Sequence, residues 1–445
     1  MKKKLRAVVC AISTLALSTG ILSACGNSAS GSEGSVYYLN RKVEDLDTWV
    51  ELGKMYQDQT GVQVKVTSGG TDYDATLHSE LAKKNAPTIY TLDGPGMQTT
   101  WEKYEADLSD TDVYNQLTDN YKGNALQNKE GKPVGIPFAV ESYGIIYNKA
   151  ILQKYFDASW SSIKSVDDIN SYTSLRTVAD EIQAHKADLG VKGAFSSAGL
   201  DASSVWRYYF HMPATSLSYE MTERNLPMSK VAPSIKGTYI KENLKNLFDM
   251  YLTDSTVSAK TVTGKTIDDS VAEFATGQAA FFQNGVWAYS QIKGQSVADK
   301  DLGVLPIYIG AKGEENQGLN QVMSNYWAIN SKASSASQKA SEKFLNWLVT
   351  NKEAKKLIVD KMGMDAPFKG FDGEDYQVNN PLANANREYQ KAGKKNVQTP
   401  FTPSHKFEEE LTSDLVNYAQ GTGDWNAVIN TYTNTWAKEY KANYE

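Results

Sequence analysis

Residues 36–93 switch repeatedly between two periodicities, and that switching limits the fold more than any other feature. "SVYYLN" reads as a strand. "LDTWVELGKMYQDQTG" puts Leu46, Trp49, Leu52 and Tyr56 near one helical face and stops at Gly61. "VQVKV" alternates with period two, so it reads as a second strand. "YDATLHSELAKKNA" is a helix carrying Leu77 and Leu81, and "PTIYTLDG" is a strand ending at Asp93-Gly94. Strand–helix–strand–helix–strand predicts an α/β fold built on a mainly parallel sheet. Such sheets bind ligands beyond the carboxyl ends of their strands. Here those ends are "LNRK", "SGGTDY" and "LDGPG", so Asn40, Arg41, Asp72 and Asp93 are candidate ligand contacts.

The chain has 445 residues, too many for one ordinary domain, so two lobes are expected. It begins with a targeting pattern: "MKKKLR", then the uncharged "AVVCAISTLALSTGIL", then "LSAC". "LSAC" resembles a bacterial lipobox. That resemblance implies a signal peptide over 1–24, a diacylglyceryl lipid on Cys25, and a flexible tether over 25–35. Cys10 would leave with the signal, so Cys25 has no partner for a disulfide or a cysteine metal site. Loss of Lys2, Lys3, Lys4 and Arg6 takes the formal charge from −6 to −10. An acidic chain without a basic run argues against nucleic acid.

"GKPVGIPFAVESYGIIYNKAIL" starts with turn residues, and Pro133 and Pro137 keep "IPFAVES" extended. Helices are expected over 166–185, 240–252 and 270–276, the last with a Ser270–Glu273 capping box. Strands are expected at 303–309 and in "SNYWAIN". "SQKASEKFLNWLVTNKEAKKLIVDKMG" reads as a helix packing through Phe344, Trp347 and Leu348. In "FATGQAAFFQNGVWAYSQI" the apolar run Ala279–Phe282 reads as a buried strand that breaks at Gln-Asn-Gly, just before Trp287.

No metal spacing joins the four histidines, and G-x-S-x-G, P-loop and G-x-G-x-x-G motifs are missing. Neither a metal nor a cofactor is expected. Glu141, between apolar runs at the end of "IPFAVE", is a candidate acceptor for ligand hydroxyls, with Tyr143 beside it. Trp206 and Arg207 in "DASSVWRYYFHMPATS" combine stacking and hydrogen bonding, although a core helix would explain them too. Trp327, which starts the strand in "SNYWAIN", divides evenly between core and site. Trp425 and Trp436 share a helical apolar stripe and read as core.

The order "VYYLN", "TGVQVKV", "APTIYTLDG", "GIPFAVESYGIIYNKAIL", "FATGQAAFFQNGVWAYSQI" and "YWAINSKASSASQKASEKFLNWLVTNKEAKK" resembles the extracellular solute-binding proteins of carbohydrate ABC importers, the maltose-binding protein group. The resemblance implies two α/β lobes joined by a hinge, with a sugar closed between them. It implies an N-lobe over 36–140 and 307–350 and a C-lobe over 141–306 and 351–445. It implies a sugar-hydroxyl acceptor at Glu141 and a stacking ring at Trp287. The partners it implies are a carbohydrate, an ABC permease and, through Cys25, the outer face of the cell membrane; the chain is expected to be a monomer and not an enzyme. Two stacking tryptophans of the group are absent, at Leu92 and in "TPSHKFEEE", so platforms could have moved to Trp206, Phe407 or His405. A surface glycoside hydrolase or lyase, and a binding protein for a non-sugar or anionic sugar, stay open beside the neutral-sugar reading.

Overall fold

The computed structural model describes residues 34–70, 72–202 and 204–445. The expected signal peptide, Cys25 and most of the tether lie outside them. Twelve strands follow in chain order: β1 Val36–Asn40, β2 Val64–Ser68, β3 Ile89–Leu92, β4 Leu126–Gln127, β5 Pro133–Pro137, β6 Glu141–Asn148, β7 Gly193–Phe195, β8 Ala279–Gly285, β9 Leu302–Leu305, β10 Gln317–Val322, β11 Tyr326–Ile329 and β12 Lys395–Gln398. They form two sheets. The first has the order β2-β1-β3-β11-β5-β4; the second has β12-β10-β6-β8-β7, with β9 also paired to β6.

The opening alternation forms as its periodicity dictates. Helix Leu46–Thr60 buries Trp49, Leu52 and Tyr56, and Gly61 ends it at φ 79°, a left-handed value that costs glycine little. The parallel pairs β1–β2 and β1–β3 follow from these helical crossovers. The sheets are otherwise mixed, and the expectation of mainly parallel sheets is corrected on this point. β11 enters the first sheet antiparallel to β3 and β5, and β6 runs antiparallel to β8, β9 and β10. β11 and β6 each follow directly on a passage from the other lobe, with no crossover helix on their own sheet to make them parallel.

Each lobe has its own core. Trp49, Phe138, Trp327 and Phe344 centre one core of the first lobe. Phe195, Tyr208, Phe248, Phe281 and Trp436 belong to the main core of the second. The expected lobe boundaries move. Residues 317–322 join the second sheet, because β10 pairs with β6. Ile358, Val359, Met362, Phe368 and Val378 pack in the first-lobe core, whereas the resemblance places 351–445 in the other lobe. The chain passes between lobes just before Glu141 and again near Asn325, where the Phe138 N–H donates to the Asn325 carbonyl at 3.0 Å.

Several local expectations also change. Helix Ile267–Ala275 is capped by Thr266 with Asp269, while Ser270 is buried inside it and donates to the Ser197 carbonyl. Residues 166–185 divide into a short turn of helix and helix Tyr172–Ala184. Residues 240–253 begin as a wide five-residue turn, Ile240–Leu244. Asn351 breaks the long 335–360 helix by capping its second half. Strand β8 does not break at Gln-Asn-Gly. Asn284 and Gly285 pair with Gly144 and Tyr143, which carries the strand to the edge of the cleft.

Candidate functional site

A cavity of about 500 Å³ lies where the two lobes meet, within the range of small-molecule sites. Its first-lobe wall is made by the loops after β1, β2 and β3, as the parallel-sheet rule predicts. Arg41 forms an ion pair with Asp93, and its guanidinium lies 5.8 Å from the centre of the Tyr73 ring. Asp72 accepts the Ala75 N–H at 3.2 Å and caps the helix that starts at Tyr73. Lys42 is buried, with its Nζ 2.8 Å from Glu44 Oε1 and 2.9 Å from Glu141 Oε1. Burial alone would discharge it, but Glu141, Glu44 and Asp45 outweigh burial and raise its pKa well above the ordinary value. Burial pushes Asp45 the other way, up to about 7, against the pull of Lys42.

Glu141 stands at the passage between lobes. Its Oε1 accepts from Lys42 and its Oε2 accepts from Asn325 Nδ2 at 2.9 Å. The carboxylate therefore ties the passages at 138–141 and 323–325 to the first-lobe loop. Each oxygen keeps a second lone pair, so the carboxylate can still accept from a ligand in the cavity it lines.

The second-lobe wall is aromatic. Arg207–His211 forms a single wide turn with i→i+5 bonding, closed by Met212 N–H to the Arg207 carbonyl at 2.8 Å. That turn and the residue before it present Trp206, Arg207, Tyr209, Phe210 and His211 to the cavity. The Arg207 guanidinium stacks over Trp206 at 4.0 Å. Burial lowers its pKa to about 9, although Glu44 opposes the shift. Burial and the nearby Arg207 charge hold His211 well below the usual histidine value, so the ring is neutral. Trp287 leans on Trp206 and His211, with centroids 6.3 and 5.6 Å away. Its ring lies flat over Gly285, where a Cβ would stand 2.0 Å from Trp287 Cζ3. The glycine in "NGVWA" is thus a close-approach requirement.

Six of the ten expected contacts come together here without qualification: Arg41, Asp93, Glu141, Trp206, Arg207 and Trp287 all line the cavity. Asp72 also lines it, with its side chain engaged as a helix cap. Three do not line it. Asn40 is fully buried; its Nδ2 donates to the Lys42 carbonyl and its Oδ1 accepts the Lys42 N–H, which shapes the loop that carries Arg41. Tyr143 lies behind the wall, stacked on His211 at 3.8 Å and hydrogen-bonded to Thr399. Trp327 is 1% exposed, stacked on Phe138 and bonded through Nε1 to Tyr38, so it is core.

The two substitutes considered for the missing platforms also move. Phe407 is fully buried. His405 is an ion-pair partner, with Nδ1 3.0 Å from Glu408 and Nε2 3.6 Å from Asp74 on the opposite lobe. Phe401 lines the cavity instead and packs against cores of both lobes. Its one sequence signal is its place between Pro400 and Pro403 in "TPFTPS". Lys42 carries only the acids two and three residues on.

A family model described as bacterial extracellular solute-binding protein matches residues 51–383, three-quarters of the chain. The chain belongs to the bacterial extracellular solute-binding proteins. A melibiose/raffinose/stachyose-binding protein, MelE, of Bacillus subtilis is 26% identical over 216 residues. That match covers 48% of this chain and 48%, about half, of MelE. Solved structures of similar fold include the binding protein RafE in complex with raffinose (TM-score 0.69, 18% identical, 91% of this chain and 99% of that one). A Bacillus licheniformis sugar transporter protein in complex with stachyose has TM-score 0.68 at 16% identity, covering 91% of this chain and 99% of its own. These similarities agree with the two-lobed α/β architecture of this solute-binding protein. No helix among its described residues is long and apolar enough to cross a membrane.

Proposed function

We propose that this solute-binding protein captures an oligosaccharide in the cleft between its lobes and hands it to an ABC importer permease, without catalysis. The observation that carries the reading is the pairing of walls. Trp206 and Trp287 offer stacking faces for the CH-rich side of a sugar ring, and the facing loops offer carboxylates and cations for its hydroxyls. The sugars named for MelE, RafE and the Bacillus licheniformis protein support the same ligand class. Closure of the lobes on the sugar gives the permease a shape to read. "LSAC" supports anchoring at the extracellular face of the cytoplasmic membrane by a lipid on Cys25, and the protein is proposed to act as a monomer.

A thermal-shift panel of neutral and charged oligosaccharides, polyamines and peptides tests the ligand class. A sugar at 100 times its Kd should stabilise the protein by about 2.7 kcal/mol. A shift with a polyamine or peptide and with no carbohydrate rejects the reading. New reducing ends released from a bound oligosaccharide would point to a hydrolase.

A further inference from the structure

Arg207 differs from the other cations of the cleft. Arg41 pairs with Asp93, and Lys42 pairs with Glu44 and Glu141, but among the described residues no carboxylate lies within ion-pair distance of Arg207. It is 5% exposed, and its Nε and Nη1 have no hydrogen-bond partner. Its Nη2 makes one long contact, 3.4 Å, to Asn284 Oδ1. Stacking on Trp206 holds the plane of the guanidinium. On the same turn His211, 2% exposed, lines the cavity with its Nδ1 also without a partner. Two buried, unpartnered donor-capable groups therefore share the second-lobe wall, facing a first-lobe wall on which Asp74 also keeps an unpartnered oxygen, and such groups cost stability until something pairs with them.

The charge of the rest of the cavity narrows what that something is. Six carboxylates line it (Glu44, Asp72, Asp74, Asp93, Glu141 and Glu408) against three cations, Arg41, Lys42 and Arg207. Adding a protonated His405 leaves the surplus negative. An anionic sugar would bring a further negative charge into that field, whereas a neutral one would not. A fixed guanidinium fork donates two parallel bonds to a pair of oxygens, and vicinal hydroxyls on a sugar ring supply such a pair. Resting on the oligosaccharide reading, we infer that Arg207 is a specificity residue that donates two hydrogen bonds to adjacent hydroxyls of a neutral sugar ring seated against Trp206 and Trp287, and that the surplus carboxylates of the cleft disfavour uronic-acid sugars.

Arg207 also borders a chamber of about 10 Å³ behind the wall, lined by Tyr251 and Gln283. A guanidinium serving only that chamber would matter to stability and not to the ligand, so the test reads both. Calorimetric titration of the protein with raffinose, stachyose, maltotriose, xylotriose and trigalacturonate comes first. At least one neutral sugar should bind, and trigalacturonate should bind at least about tenfold more weakly. Arg207→Gln should weaken the neutral sugar on the order of 10- to 100-fold. Arg207→Lys, which keeps the charge but loses the fork, should recover only part of that. Monodeoxy analogues of the bound sugar should include one that loses affinity for the wild type and little further for Arg207→Gln. Tighter binding of trigalacturonate overturns the inference and leaves carbohydrate capture standing. Unchanged sugar affinity in both variants, with a lowered Tm, assigns Arg207 to the chamber and overturns it too. If no carbohydrate binds at all, the oligosaccharide reading itself fails.

Discussion

On the first-lobe wall of the cleft, Arg41 is held by Asp93, Lys42 by Glu44 and Glu141, and Asp72 by the helix it caps. On the second-lobe wall, Trp206 and Trp287 are half-buried and tilted together, while Arg207 and His211 keep polar atoms without partners. The two walls use their polar groups differently. The first pairs its cations with its own carboxylates and holds interlobe passages, although Asp74 Oδ1 keeps no hydrogen-bond partner. The second is left incomplete, and a ligand can complete it. Substitutions on the first wall should therefore register in stability, and those on the second in affinity.

The largest effect belongs to Lys42→Met. Removing the cation strands Glu44, Asp45 and Glu141 in a buried setting, and breaking such a group costs about 3–5 kcal/mol. Chemical denaturation should show that loss; a change below ~1 kcal/mol would mean that the first wall does not depend on Lys42. Trp287→Ala comes next, with the opposite signature. Affinity for the best-binding sugar should fall roughly 30-fold or more, as for an aromatic hot spot, while Tm changes little. Equal losses of stability and affinity would make Trp287 a core residue.

Gly285→Ala sharpens the same point. Its new Cβ needs the space of the Trp287 ring, and overpacking costs about 1–3 kcal/mol where nothing can give. Because the ring is only half-buried it can swing away, so sugar affinity and the near-UV circular dichroism should change more than Tm. The smallest effect concerns His405, which bridges Glu408 to Asp74 across the lobes. Burial disfavours its charge, but the Glu408 hydrogen bond and the charges of Asp93 and Asp74 win and lift its pKa from 6.5 to about 10. The folded chain thus holds this proton more tightly than the unfolded one. Its contribution is whole below pH 6.5 and fades as pH rises through about 10. The Tm gap between wild type and His405→Gln should narrow over that window, and a gap that widens would reverse the assignment.

The opening lobe is legible in the sequence because its helices and strands carry clean periodicities, which locate the carboxyl-end loops with Arg41 and Asp93. Trp287 was legible through its place after β8, although the strand runs three pairs further than its apolar run suggested. Three things were not legible. Trp327 and Asn40 have the residue types of a site, yet β11 and the β1 loop turn them inward, and only pairing geometry decides that. Phe401 and Glu408 reach the cleft from a segment more than 300 residues after Asp93, a meeting with no local pattern behind it. The passages between lobes move segments such as 317–322 and 352–378 across boundaries that composition does not mark.

The most direct measurement is a crystal structure of the protein with the tightest-binding sugar from the panel. The expected result is a sugar ring stacked on Trp206 and Trp287, with two adjacent hydroxyl oxygens within hydrogen-bond distance of Arg207. A sugar held by the Arg41–Asp93 side, with the tryptophans and Arg207 untouched, would contradict it.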